Sequence, residues 1–304
     1  MMEIFFLGTG GSVPSRDRNL PSIVIRRKGE IFIFDCGECM QKRFLLNHIG
    51  VNKPTYVFIT HLHGDHVFGL PGLLSTFSLL GRSLPIEIYG PKPIKSFIES
   101  ILENTYTNLQ YEVVVKEVTP GCIFEKREYY VICTWAKHSV PTLAYSLVEK
   151  DRPGRFNVEK ALALGIPKGP LWKKLQIGYY VDLPNGRRVY PEDVLGPPRK
   201  GLKVTYTGDT APCSEIVKLA YGSTLLIHDS TFTEEYREEA EESLHSTARQ
   251  AAEVALKSHS KELALFHISP RITDNEKILM EAKAVFPNTF VAIDNSIKVL
   301  RYED

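Results

Sequence analysis

The sequence predicts a layered α/β fold, and three observations carry that reading. Short β-branched and aromatic runs recur along the chain, segments with helical spacing stand between them, and both halves of the 304 residues show the same alternation. Residues 4–7, 22–26 and 31–35 read as strands, with a loop rich in Gly, Pro and Ser over 8–21 between the first two. A helix is expected near 39–49. The run Tyr56-Val57-Phe58-Ile59-Thr60, without internal Gly or Pro, reads as a buried strand. Residues 72–80 and 93–105 have helical spacing, while 86–89, 112–118 and 129–136 read as strands. The pattern returns in the second half over 203–207, 225–229, 248–258 and 263–267. No periodic repeat is visible.

A chain of this length buries a substantial core and can hold one large or two ordinary domains. The reading is a single domain over 1–304 with an insertion at about 150–200. Apolar and charged fractions of 43% and 24% are ordinary for a globular protein. No apolar run approaches bilayer-spanning length, and Met1-Met2-Glu3 leads straight into a strand without signal-peptide layout, so a cytoplasmic location and no membrane partner are expected. The five cysteines (36, 39, 122, 133 and 213) have no framework spacing, which suits a reducing compartment. Cys36 and Cys39 have redox-motif spacing without the sequence context that gives it meaning.

The insertion has a charge of its own. Residues 150–203 are rich in Pro and Gly, and periodicity is weak outside 158–164. Twelve Lys or Arg against five Asp or Glu give this stretch +7, so the other 250 residues carry −6 within an overall +1. A basic element on a mildly acidic body is the asymmetry expected of a chain that meets a polyanion. Trp172, Tyr179 and Tyr180 near Lys173 and Lys174 would add stacking surface to phosphate-binding charge.

The densest chemistry lies in His61-Leu62-His63-Gly64-Asp65-His66, which follows the strand at 56–60. Residues two apart at a strand end point the same way, so His61 and His63 can share a target. Gly64 lets the chain turn, and Asp65 and His66 can then address a second point nearby. Imidazole and carboxylate suit zinc and similar divalent ions that keep a water ligand. Further candidates are His138, Asp209 and His267, each at a strand end, where α/β sheets gather functional side chains. Two divalent ions about 3.5–4 Å apart can activate a water and clamp a phosphoryl group. His228 follows an apolar strand and reads as a buried, hydrogen-bonded residue.

The hexapeptide is the signature of the metallo-β-lactamase superfamily, and the chain resembles its tRNA 3′-processing branch, ribonuclease Z of the short form, nearly end to end. Carrying the resemblance are Phe6-Leu7-Gly8-Thr9-Gly10, Phe34-Asp35-Cys36-Gly37-Glu38 and Gly69-Leu70-Pro71-Gly72-Leu73, then Tyr89-Gly90-Pro91, Thr207-Gly208-Asp209-Thr210, His245-Ser246-Thr247 and His267-Ile268-Ser269. It implies a metallo-β-lactamase fold, a four-layer αββα sandwich with an inserted flexible arm, and cleavage of precursor tRNA after the discriminator nucleotide. It also implies two zinc ions per subunit, although these ligands accept manganese or iron as well. His61, His63 and His138 would hold one ion, Asp65, His66 and His267 the other, with Asp209 bridging. Asp65 would also orient the attacking water. His245 matches the family's general acid, and Asp229 stands where a glutamate usually orients it, one methylene shorter. The loop containing Arg16, Arg18 and Asn19 matches a family loop at the tRNA 3′ end, with Arg16 in place of lysine. Arg binds phosphate as a fork, so phosphate contact is implied while discrimination against CCA ends is not carried over. Gly169-Pro170 matches the motif of the tRNA-gripping arm, which adds Lys173 and Lys174 to the expected RNA contacts. Short family members are homodimers.

Two other readings have discriminating features. A small-molecule phosphodiesterase or arylsulfatase-like hydrolase of the same fold has no use for a basic arm. A di-iron electron carrier needs a carboxylate where this chain has His63. The acidic run 234–242 reads as a solvated helix face.

Overall fold

The structure, a computed structural model, describes residues 1–303; the expected domain, 1–304, runs one residue beyond. Along the chain come β1 (Met2–Gly8), β2 (Ser22–Arg27), β3 (Glu30–Phe34), α1 (Met40–Leu46), β4 (Thr55–Phe58), α2 (Gly64–Val67), α3 (Gly69–Leu79), β5 (Ile86–Gly90), α4 (Ile94–Asn104) and β6 (Val113–Glu117). Then follow β7 (Gly121–Glu125), β8 (Tyr129–Trp135), β9 (Leu143–Glu149), α5 (Val158–Ala163), α6 (Pro170–Gln176), β10 (Val181–Asp182), β11 (Arg188–Val189) and α7 (Pro191–Val194). The last part holds β12 (Lys203–Tyr206), α8 (Ser214–Ala220), β13 (Leu225–Asp229), α9 (Arg237–Ser243), α10 (Ala248–Lys257), β14 (Leu263–Phe266), α11 (Asn275–Lys283), β15 (Thr289–Val291) and β16 (Ser296–Leu300).

These elements divide into two compact units, Met1–Val148 with Leu202–Arg301, and Glu149–Gly201 with the C-terminal end. The larger unit has two seven-stranded sheets, ordered β16-β1-β2-β3-β4-β5-β6 and β15-β14-β13-β12-β9-β8-β7. Side chains alternate across a strand, and here both faces are buried, which is why the strands read as unbroken apolar runs. Phe5, Leu7, Val24, Ile33, Val57 and Ile88 face outward onto Phe44, Leu73 and Phe77 of α1 and α3. Their neighbours Phe6, Phe34 and Phe58 face inward, where an aromatic layer joins the sheets. Phe34 stacks on Phe58 at 5.2 Å and meets Tyr145 and Tyr206 at 6.2 and 6.1 Å, while Phe6 meets Phe266 at 6.4 Å. On the far side, Ala251, Ala252 and Ala255 of α10 lie close on Leu226 and Leu265. That helix starts at a capping box, in which the Thr247 hydroxyl accepts from the Gln250 N–H and the Gln250 side chain accepts from the Thr247 N–H. Helices on both outer faces make the metallo-β-lactamase sandwich that the resemblance implies.

The smaller unit has its own core of Ala161, Ile166, Leu175, Val181, Val189 and Val194. Trp172 belongs to that core rather than to a stacking surface: its indole N–H donates to the Ile166 carbonyl at 3.2 Å and its ring lies 5.1 Å from Phe156. Tyr179 and Tyr180 are exposed, with Arg188 over the Tyr180 ring at 4.1 Å. Gly169 sits at φ 144 as the N-cap of α6, Pro170 fills the first helical position, and Lys173 and Lys174 are exposed on the helix. Among the described residues no helix is long and apolar enough to cross a membrane, and the five cysteines are free thiols.

Candidate metal centre

All seven expected ligands converge where the two sheets meet. The chain leaves β4 at Phe58, and the Leu143 N–H bonds to the Thr60 carbonyl at 2.9 Å, tying this end to the start of β9. His61 and His66 are fully buried, and α2 begins at Gly64, so Asp65 and His66 project from a helical turn. Asp209 follows β12 in a turn where Gly208 has φ +59; a Cβ at Gly208 would stand 2.7 Å from Thr60. His138 is brought in by an antiparallel bridge between Lys137 and Ala211. His267 itself lies at φ 61, a conformation rare for a residue with a side chain and typical of functional sites that the surroundings hold in place. Gly11 backs its ring so closely that a Cβ there would come within 2.3 Å of it.

Proton bookkeeping shows why these nitrogens are free to ligate. The Asp35 carboxylate accepts from the Thr60 N–H (2.7 Å), the Thr60 hydroxyl (2.8 Å), the Tyr206 hydroxyl (2.8 Å) and His66 Nδ1 (2.7 Å). Since the Thr60 hydroxyl gives its proton to Asp35, it accepts from His61 Nδ1 at 2.9 Å. The Thr231 hydroxyl likewise donates to Asp229 at 2.7 Å and accepts from His267 Nδ1 at 2.8 Å. His138 Nδ1 donates to the Leu244 carbonyl at 3.2 Å. In each case the other nitrogen, Nε2, turns into the cluster. His63 alone presents Nδ1, which lies 3.0 Å from His61 Nε2 and 3.3 Å from His138 Nε2.

Asp209 stands between two groups of donors. Its Oδ2 lies 3.7 Å from His61 Nε2 and 3.9 Å from His138 Nε2, and its Oδ1 lies 3.3 Å from both His66 Nε2 and His267 Nε2. Asp65 Oδ2 joins the second group, 3.6 Å from His66 and 3.5 Å from His267, and accepts from the Ser12 N–H at 2.9 Å. Asp209 Oδ1 is buried without a hydrogen-bond partner among the described residues. An orphaned carboxylate oxygen facing convergent imidazole lone pairs is the donor set of a divalent metal site, and the residues present fit one. Burial opposes the Asp209 charge, but His267 and His66 hold the carboxyl well below its ordinary range. Burial pushes His61 and His138 down, favouring the neutral, ligating form. Burial also opposes charge on His66, yet Asp209 and Asp35 raise it, so ion uptake there displaces a proton.

The expected general-acid pair, His245 and Asp229, stands alongside. His245 Nδ1 lies 2.7 Å from Asp229 Oδ2, and its Nε2 faces Asp209 Oδ2 at 4.0 Å. The shorter side chain of Asp229 therefore reaches His245, helped by Leu244 at φ 57, which turns the chain into place. Asp229 also accepts from the Thr210 and Thr231 N–H groups at 2.9 and 3.0 Å. Burial works against charge on His245, but the Asp229 carboxylate outweighs it and the imidazole is pushed up to about 9. His228 is fully buried, with Nδ1 bonded to the Asp229 carbonyl at 2.7 Å, away from this chemistry.

The expected RNA-contact loop divides. Arg16 is exposed, whereas Arg18 is turned into the protein, where it donates to the Thr9 hydroxyl, the Ala292 carbonyl (2.8 Å) and Asn275 (2.8 Å). The Asn19 side chain lies against the Arg43 guanidinium, and its N–H bonds to Asp294 at 2.7 Å. Arg18 and Asn19 thus brace the loop from inside. Asp35, Thr231 and Gly11 were given no role from the sequence, because their roles arise through partners distant in the chain.

Ribonuclease Z of Methanothermobacter thermautotrophicus is 48% identical over 304 residues, covering 100% of this chain and 98% of its own. That of Methanosarcina acetivorans is 45% identical over 295 residues, covering 97% of this chain and 96% of its own. The crystal structure of human tRNase Z, short form, is similar with a TM-score of 0.73 at 28% identity, over 98% of this chain and 99% of that one. A metallo-β-lactamase fold protein from Bacillus subtilis, at 15% identity and TM-score 0.69 over 98% of each chain, shares the fold. A family model described as anti-Pycsar protein Apyc1 matches residues 2–142. With close relatives matched over its full length and a cluster of histidines and aspartates able to bind metal at the junction of its sheets, the chain belongs to the ribonuclease Z family.

Proposed function

We infer that this chain is the endoribonuclease that removes the 3′ trailer from precursor tRNA, cutting after the discriminator nucleotide to leave a 3′-hydroxyl on the tRNA and a 5′-phosphate on the trailer. The observation that carries the reading is the placement of an acid–carboxylate pair, His245 and Asp229, beside a convergent set of ligand atoms. His61, His63 and His138 would hold one zinc ion, and Asp65, His66 and His267 a second. Asp209 would be shared between the two, since its two oxygens face different groups. Bound divalent ions supply Lewis acidity, bringing the pKa of water near 7 and offsetting charge on the phosphoryl oxygens.

The chain's own residues do the rest. The Ser12 N–H fixes Asp65, whose carboxylate orients the attacking water. His245, held by Asp229, gives its Nε2 proton to the departing 3′-oxygen as the phosphorus–oxygen bond breaks. Arg16 provides phosphate contact near the cut, and the +7 arm, through Lys173, Lys174 and the Gly169-Pro170 turn, binds the body of the tRNA.

The direct test is cleavage of an end-labelled precursor tRNA with a short trailer. One metal-dependent cut at the discriminator is expected, abolished by chelation and by Asp65→Ala. A metal-replete enzyme that hydrolyses a small phosphodiester but leaves the precursor whole would overturn the reading. Deleting residues 155–195 should lower kcat/KM on precursor tRNA by on the order of 10²-fold or more, mainly through KM, while turnover of a small phosphodiester persists. Equal losses on both substrates would remove the arm from tRNA binding.

A homodimer completes the proposal. Leu45 and Leu46 on α1, together with Leu79 at the end of α3 and the adjoining Phe68 and Leu80, are exposed on two helices that pack together through Phe44 and Phe77, 5.0 Å apart. Such an apolar surface suits a second copy of the chain. Sedimentation equilibrium should give twice the 34.4 kDa chain mass, and Leu46→Glu with Leu79→Glu should return it to the monomer. A monomeric wild type would exclude this interface.

A further inference from the structure

A cleft of about 550 Å³ opens beside the general acid, with Val13, Phe232, Glu242, Ser269 and Arg271 among its lining residues. It differs in character from the imidazole cluster it adjoins. Phe232 is half-buried, and its ring stands at 74° to the His245 imidazole with centroids 6.2 Å apart. The backbone fixes the ring: the Phe232 N–H bonds to the Ser246 carbonyl at 3.3 Å, and the Ala248 N–H bonds to the Phe232 carbonyl at 2.9 Å. Val13 and Pro270 add apolar wall, Glu239 and Glu242 reach the rim from exposed positions on α9, and Arg271 supplies a cation.

That combination selects a particular kind of ligand. Carboxylates at the rim repel phosphate, yet they accept hydrogen bonds from the N–H groups of a nucleobase. An aromatic face held beside them is a stacking surface, which tolerates any base because every base has a π-face. Direction along the RNA follows from the chemistry of the cut. His245 protonates the 3′-oxygen that departs, so the nucleoside carrying that oxygen lies on the side of His245, not on the side of the attacking water.

We propose that this cleft is the subsite for the discriminator nucleoside, with its base stacked against Phe232. The proposal rests on the tRNA-cleavage reading and assigns one residue to one nucleotide within it. Phe232 is a binding residue here, and the geometry of His245 does not depend on its aromatic character, since Asp229 holds that imidazole.

Two measurements on the intact, metal-loaded enzyme test it. The first uses mature tRNA ending at the discriminator with 2-aminopurine as that base, a product with no bond left to cut. Its fluorescence should be quenched on binding wild type and Phe232→Tyr, and should stay unquenched on binding Phe232→Leu. The second compares cleavage of a precursor with a normal or an abasic discriminator. Phe232→Leu should lower kcat/KM on the normal substrate by about 5- to 150-fold, the range of one base–aromatic stack. On the abasic substrate the same change should cost less than about twofold, the base that Phe232 holds being already gone. Equal penalties on both substrates, or equal quenching by Leu and Phe, would overturn the subsite. Failure of the underlying reading looks different: the wild type would not cut at the discriminator at all, and the subsite would fall with it. Phe232→Tyr, which keeps the ring, separates loss of stacking from a damaged fold.

Discussion

Asp209→Ala is expected to reduce cleavage of precursor tRNA by on the order of 10³-fold or more and to lower the metal content of the purified protein. The reason is the position of one side chain. Four imidazoles from three parts of the chain address its two oxygens, His66 and His267 at 3.3 Å on one side, and His61 and His138 at 3.7 and 3.9 Å on the other. Removing the carboxylate leaves those imidazoles facing one another without a negative charge between them. Metal analysis by mass spectrometry and activity should fall together. A variant that kept both its metal and its rate would show that Asp209 does not bridge.

His245→Ala should cost about 10²–10⁴-fold in kcat, the usual range for a positioned general acid. The pH dependence gives a sharper test. An ordinary imidazole titrates near 6.5. Burial would lower that value, but the Asp229 carboxylate at 2.7 Å dominates and pushes His245 up to about 9. On the proposed role the imidazolium is the working form, so the acid should be present throughout the neutral range and be lost as pH rises through that value. Asp229→Asn keeps the shape and removes the charge, and it should move the alkaline limb of the kcat profile to lower pH. A substrate with a bridging 3′-sulfur, whose leaving group needs little protonation, should recover much of the rate in His245→Ala. An unmoved alkaline limb in Asp229→Asn would mean that the pair does not act as the acid.

The strands were legible where apolar residues run nearly unbroken, as in β1, β3 and β4; β9, almost wholly buried, was missed because Ala144 and Ser146 interrupt its run of larger apolar residues. Of the edge strands, β6 was read and β7, β15 and β16 were not. β7 has only exposed or half-exposed residues and β16 mostly such residues, and their short segments carry no unbroken apolar run. The residues of the cluster were legible because their types are scarce and the spacing of four of them is dense. What supports them was not: Asp35 sits 31 residues from the His66 it orients, and Thr231 sits 36 from His267. An ordinary Asp or Thr gives no sign in sequence of the proton it fixes. Charge misled in the opposite direction at Arg18, where a cation in a loop suggests nucleic acid and the fold uses it as an internal brace. Trp172 misled similarly, since an aromatic among lysines resembles a stacking surface until the small core around it is known.

The cluster able to bind metal spans His61 to His267, with contributions from the strand ends of both sheets. Neither half of the sandwich brings the whole set together alone. Metal that binds the assembled state and not the open chain would add its affinity to the free energy that keeps the sheets together. Loss of activity on chelation and loss of thermal stability on chelation would then be two readings of one junction.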